Sequence, residues 1–304
     1  MLHILGAGSL GLLWAARLIQ AGLPVTLLVR DTAARQHWQQ TGDQMTLEYQ
    51  GQHHQIPVHI ETPDSHTSPI QHLIVATKSH ASLQAVQRLQ PRLCADASIL
   101  LLQNGLGSQQ QISALLSQQV LYASVTDGAW RRTPCHVVWA GKGVTQIGDP
   151  RGLPFPNWLS ALHGDCIDWQ WQADILQVLW VKLAINCAIN PYTVLHDCRN
   201  GDVPQHARAE LPLLISELQQ LLRAQNLEIE PDALSERIHA VIQATANNSS
   251  SMRQDVHAGR PTEIDYITGF ACNSAMAAGL HLPVLMSLHT RLKTHLATLG
   301  LYQQ

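Results

Sequence analysis

At 304 residues the chain is long enough for two domains of ordinary size, each with its own core. Charged residues are only 13% and the formal net charge is -3, which leaves no basic face for nucleic acid or for an acidic membrane surface. Six cysteines (Cys94, Cys135, Cys166, Cys187, Cys198 and Cys272) show no C-x-x-C pair or zinc-ligand spacing, so buried free thiols in a reducing, cytoplasmic setting are expected and a metal is not.

Met1 leads directly into an apolar strand at residues 3–5, with no charged leader and no apolar run long enough to span a bilayer. Gly6, Ala7, Gly8, Ser9, Leu10 and Gly11 follow, then a helical stretch at residues 12–20, ended by Gly22 and Pro24, and a second strand at 25–29. This is a βαβ unit. His53 and His54 lack partnering cysteines and read as a solvated loop. Short apolar runs at 73–76, 99–102 and 122–125 suit buried strands of a parallel sheet. Runs at 137–140 and 144–147, separated by Gly141, Lys142 and Gly143, read as a hairpin closing the sheet with antiparallel strands.

Beyond Trp169 no strand is evident, and helical periodicity dominates at 174–190, 205–225, 231–246, 262–279 and 283–299. Pro191, Pro204, Pro231, Pro261 and Pro283 punctuate these segments. The expected fold class is α/β: an N-terminal Rossmann-type doubly wound sheet over residues 1–170 and an all-α C-terminal domain over 171–304.

Lys182, Asn186 and Asn190 are spaced four and four on an otherwise apolar helix, so they share one face. Burying an ammonium and two carboxamides without partners costs several kcal/mol, about 2–7 for each neutral group alone. The stripe therefore meets either a core polar network or a polar ligand. A lone G-x-G-x-x-G is weak evidence, but this one sits between a strand and a helix, where a pyrophosphate would lie on the helix N-terminus. Arg30 and Asp31 end the second strand. An arginine there would pair with the 2′-phosphate of NADP and an acid with the 2′-hydroxyl of NAD; Arg30 directly follows the strand, so NADP is favoured, with Lys78 as a second cation. Asn104, in Gln103-Asn104-Gly105-Leu106-Gly107, follows a strand at the sheet's carboxyl edge and could reach both nicotinamide and substrate, although Asn-Gly is also a common turn pair. Thr262 with Asp265 reads as a capping box that would make Glu263 a first-turn acid, and Ser249, Ser250 and Ser251 read as a cap or loop.

Several of these segments, in order and in both domains, resemble the ketopantoate reductase (2-dehydropantoate 2-reductase) family: GAGSLG, Lys78, QNGLG, GVTQIG, WVKLAINCAINP, the SSM before Gln254 and Asp255, and TEIDYITGF. The resemblance implies NADPH-dependent reduction of ketopantoate to pantoate, a step toward pantothenate and coenzyme A. It implies Lys182 and Glu263 as catalytic residues, with Glu263 near the cofactor or the lysine. Asn104, Lys182, Asn186, Asn190, Asn200 and Ser251 would line the substrate. Gly6, Ala7, Gly8, Ser9, Leu10, Gly11, Arg30, Lys78, Asn104 and Ala129 would hold NADP(H). The only partner implied is a small-molecule substrate, with no nucleic acid, no membrane and no metal, in a monomer or homodimer. The alternatives are a reductase of another branched 2-oxo acid and a non-catalytic NADP-sensing regulator.

Overall fold

The structure is a computed structural model that describes residues 1–65, 68–162, 167–227, 229–230 and 232–302. Cys166 and Pro231 lie outside the described residues. Four consecutive buried residues make β1 (Leu2–Leu5) an interior strand. The glycine turn leads into α1 (Ser9–Gln20), which is followed by Gly22, φ +82°, just past its cap Ala21, before β2 (Val25–Leu28). There follow α2 (Thr32–Gln40), β3 (Gln44–Tyr49), β4 (Gln52–Pro57), β5 (His59–Glu61), β6 (Ile70–Val75), α3 (Ser79–Leu89), β7 (Leu93–Leu101), α4 (Ser108–Leu115) and β8 (Gln119–Val125). The strands β9 (Gly128–Thr133), β10 (His136–Gly141), β11 (Thr145–Gly148) and β12 (Trp169–Trp171) complete the β elements described.

One sheet has the strand order β12-β11-β8-β7-β6-β1-β2-β5. Its β5, β2, β1, β6, β7 and β8 run parallel, and β11 is antiparallel to β8. The winding reverses at β1, which lies between β2 and β6, so the glycine turn sits at the carboxyl edge where open sheets take ligands. The doubly wound α/β class is thus present.

A second sheet, of order β4-β3-β10-β9, was not expected. Met45, Leu47, Ile56 and Val137 turn inward from it and share a core with Leu12, Leu13 and Trp14 of α1. This sheet corrects two expectations. His53 and His54 lie on strand β4 and not in a loop. The runs flanking Gly141, Lys142 and Gly143 also do not pair with each other: β10 pairs with β3 and β9, whereas β11 pairs with β8 and β12. Gly143 explains the crossing, because a side chain there would strike the backbone of Thr126 and Asp127 as the chain passes from one sheet to the other.

The strand β12 likewise departs from the strand-free expectation after Trp169. From there the elements are α5 (Ile175–Leu195), α6 (Val203–His206), α7 (Leu211–Ala224), α8 (Ala233–Ala244), α9 (Ser251–His257), α10 (Thr268–Ala277) and α11 (Pro283–Thr298). Pro191 does not end α5, which continues to Leu195. A mid-helix proline costs about 3 kcal/mol, and the buried Tyr192 and Val194 in the added turn offset it. By length and composition α5 could cross a membrane, contrary to the sequence expectation; most of it is buried within the protein, as in a core helix. The expected helix at 205–225 is split into α6 and α7, with Pro212 in the first turn of α7. The five cysteines described are free.

Contacts divide the chain into two compact units, Met1–Gln103 with Ser108–Val178, and Asn104–Gly107 with Leu179–Gln304.

Candidate active site

In the first unit, Gly6 has φ +107°, and a side chain on it would press on Thr77. A Cβ on Gly11 would collide with the Gly6 carbonyl, so Gly11 lets α1 pack tightly on its own turn. Gly8 differs. Its Cβ would meet only the Ala76 carbonyl, at 3.6 Å, an ordinary contact. The protein itself does not require glycine at this position, whereas close approach of a phosphate would. Gly8 also starts α1 with no side-chain cap, so the first amides of a 12-residue helix keep their anion-binding character. This cradle fits a dinucleotide pyrophosphate.

Asp31 is the N-cap of α2: one carboxylate oxygen accepts the Ala34 amide at 2.8 Å and the other takes Nε of Arg30 at 2.8 Å. These bonds hold its carboxyl below the usual carboxylate range, led by the Ala34 amide. Arg30 has 86% of its side chain in solvent. Lys78 follows β6 at the same carboxyl edge and begins α3. Ala129 lies on β9, half-buried, opposite Trp139 of β10. Two residues on, Arg131 donates from Nη1 to the Ala7 carbonyl at 3.0 Å, which brings a guanidinium to the glycine turn. Sequence reading missed Arg131 because the sheet that carries it was not foreseen.

In the second unit, Lys182, Asn186 and Asn190 lie on α5 at helical spacing; Lys182 and Asn186 are half-buried and Asn190 is buried. Burial pushes the Lys182 ammonium down to about 8, and the negative charge of Glu263 opposes that shift. Glu263 is buried and precedes a short 3₁₀ turn, Ile264–Tyr266. The expected capping box is absent. The Thr262 hydroxyl is buried with no partner among the described residues, and Asp265 accepts a hydrogen bond from Tyr302 at 2.9 Å. The regular helix α10 starts only at Thr268.

Asn104 is half-buried in a loop held against that 3₁₀ turn, the Leu106 amide donating to the Tyr266 carbonyl at 2.9 Å. Gly105, at φ +77°, passes so close to the same carbonyl that no side chain fits, so Asn-Gly here is both a turn and a docking point. Of the serine run, Ser250 caps α9 and its hydroxyl meets that of Thr193 at 2.6 Å, while Thr193 also donates to the Asn190 carbonyl at 2.7 Å. The run is thereby tied to the Asn190 turn of α5, with Ser251 exposed beside it. Asn200 is buried; its amide donates to Thr245 at 2.9 Å, and its amide oxygen has no partner among the described residues.

Two family profiles match the sequence: ketopantoate reductase PanE/ApbA over residues 2–152, and the C-terminal part of the same family over residues 174–295. The chain belongs to the ketopantoate reductase family. It is an oxidoreductase of that family. The 2-dehydropantoate 2-reductase of Vibrio cholerae is 34% identical over 295 residues, covering 96% of each chain. Among solved structures, a probable 2-dehydropantoate 2-reductase of Bacillus subtilis is 29% identical with a TM-score of 0.78, covering 97% of this chain and 99% of that one. A D-mandelate dehydrogenase solved with NADH and anilino(oxo)acetate shares the fold at a TM-score of 0.88 and 18% identity, over 99% of both chains.

Proposed function

We propose that the protein reduces 2-dehydropantoate (ketopantoate) to (R)-pantoate with NADPH, a step toward pantothenate and coenzyme A, in the cytoplasm. The observation that carries the reading is Lys182, a lysine whose acidity is raised by burial and whose charge is supported by Glu263. Bound NADPH supplies the hydride for the C2 ketone. Lys182 polarises that carbonyl and then passes a proton from Nζ to the alkoxide oxygen as it forms. A donor near 8 is better matched to neutral pH than an ordinary lysine at about 10.4. Asn186, Asn190 and Asn104 orient the 2-oxo acid through neutral amides, and Ser251 adds a hydroxyl. The buried, unpartnered oxygen of Asn200 accepts from a substrate hydroxyl.

For the cofactor, Gly6, Ala7, Gly8, Ser9, Leu10 and Gly11 cradle the pyrophosphate, with Arg131 adding positive charge. Arg30 and Lys78 hold the 2′-phosphate. Asp31 is already engaged as the cap of α2, which favours NADP over NAD at this strand end. Asn104, Ala129 and Glu263 complete the set. The first unit is the NADP-binding domain and the helical unit the substrate domain, working as a monomer or homodimer.

The test is oxidation of NADPH by the purified protein across a panel of 2-oxo acids. Ketopantoate should give the highest kcat/KM. A larger value for another branched 2-oxo acid transfers the assignment to that substrate, and NADPH binding without oxidation by any of them makes the protein a sensor.

A further inference from the structure

On the face of the small sheet turned away from α1, three side chains able to ligate a metal converge. Glu48 of β3 stands directly across from His53 of β4, and His136 of β10, paired with Thr46 and two residues before the Val138–Glu48 pair, lies diagonal to Glu48 on its other side. One ligand atom from each of the three lies within 4.8 Å of the other two. His136 Nε2 is 3.0 Å from a Glu48 oxygen, and the two imidazoles meet edge to face with centroids 5.7 Å apart. Met45, Leu47 and Val137 occupy the buried face of the same strands, so the trio is not a piece of the core. We propose that Glu48, His53 and His136 form a binding site for one divalent transition-metal ion of the zinc or nickel type, separate from the residues assigned to reduction.

Two imidazoles and one carboxylate suit zinc, nickel or copper, whereas magnesium and calcium prefer all-oxygen sets. Donors about 2.1 Å from one ion stand at most about 4.2 Å from each other. Glu48 and His136 already meet that limit, and His53, exposed on its strand, closes the remaining gap by turning its ring. Arg132 also pairs with Glu48, at 2.8 Å to the oxygen facing His136 and 3.3 Å to the other. With an ion on the first oxygen, Arg132 keeps the second and orients the carboxylate from outside the site. The ligands come from three separate strands, which is why no metal-ligand spacing is visible along the chain. An ion there would clip β4, β3 and β10 together.

The full-length protein, free of any affinity tag, is titrated with Co²⁺ followed by visible absorption, and with Zn²⁺ followed by calorimetry. One equivalent of Co²⁺ should bind with d–d bands that Zn²⁺ abolishes, and the affinity should fall about 10-fold or more in His53→Ala and in Glu48→Gln. His53→Ala removes an exposed side chain, so its circular dichroism and its NADPH-dependent turnover should match the parent. If Glu48→Gln does not fold, His53→Ala alone decides. Absence of a cobalt spectrum in the parent, or an unchanged spectrum and affinity in His53→Ala, overturns the site.

Discussion

Lys182 carries the sharpest expectation at the scale of a single residue. Its replacement by alanine should lower kcat roughly 100-fold or more while leaving NADPH affinity nearly intact, as read by turnover and by fluorescence titration. The donor must be protonated to act, and its proton leaves as pH rises through about 8. The kcat/KM for ketopantoate should therefore decline above about that pH; activity sustained to about pH 10, the ordinary lysine range, would remove the burial argument. Arg30 is the second such residue. Losing a charged hydrogen bond to the 2′-phosphate costs about 1.5–3 kcal/mol, so Arg30→Ala should depress kcat/KM about 10-fold or more with NADPH and leave NADH almost unaffected. Arg131→Gln should weaken both cofactors alike, because the pyrophosphate is common to them. Equal effects of Arg30→Ala on the two cofactors would return the 2′-position to Asp31. The stripe on α5 was legible from spacing alone, whereas the choice between Arg30 and Asp31 was not, since both stand at one strand end. The bond from the Ala34 amide to Asp31 is visible only in the folded chain.

Among the elements, the glycine turn and the second sheet behave in opposite ways as sequence signals. The turn announced itself through its position between strand and helix, and its glycines now differ in purpose. Gly11→Ala should destabilise the fold by about 1–3 kcal/mol through collision with the Gly6 carbonyl, seen as a lower Tm. Gly8→Ala should keep the parent Tm and yet bind NADPH about 10-fold or more weakly; an unchanged Kd would mean that no phosphate approaches there. The second sheet stayed hidden because β4 is almost wholly polar, so neither alternation nor an apolar run marked it. Its anchor is equally invisible in sequence. Arg17 of α1 pairs with Asp127 at 3.2 Å with both side chains almost fully buried, Trp139 donates to the same carboxylate at 3.1 Å, and the Arg17 guanidinium covers the Trp139 ring at 4.3 Å. Asp127→Ala would remove the buried carboxylate that faces the Arg17 guanidinium, and chemical denaturation should show a loss of about 3–5 kcal/mol. A loss below about 1 kcal/mol, the range of surface pairs, would mean that solvent reaches Arg17.

For the whole molecule, two compact units allow two unfolding transitions, so ligand linkage reports which unit holds the cofactor. NADPH at about 100 times its Kd should stabilise the first unit by about 2.7 kcal/mol, visible as a raised calorimetric midpoint, and Gly8→Ala, binding about 10-fold more weakly, should keep only about 1.4 kcal/mol of it at the same concentration. A shift undiminished in that variant would place the nucleotide elsewhere.

Much of this architecture follows from the chain read alone. Apolar runs placed five of the parallel strands, the glycine motif marked the turn after β1, and period-four spacing put Lys182, Asn186 and Asn190 on one helix face, because strand burial and helix periodicity are local properties of sequence. Other features required the folded chain. The split of 137–147 between two sheets depends on which strand edges are free to pair, and the assignment of Asn104 to the helical unit depends on a hydrogen bond from Leu106 to Tyr266, some 160 residues away. The acidity of Lys182 was likewise decided there, since desolvation and the charge of Glu263 act through space and leave no mark on the spacing of residues.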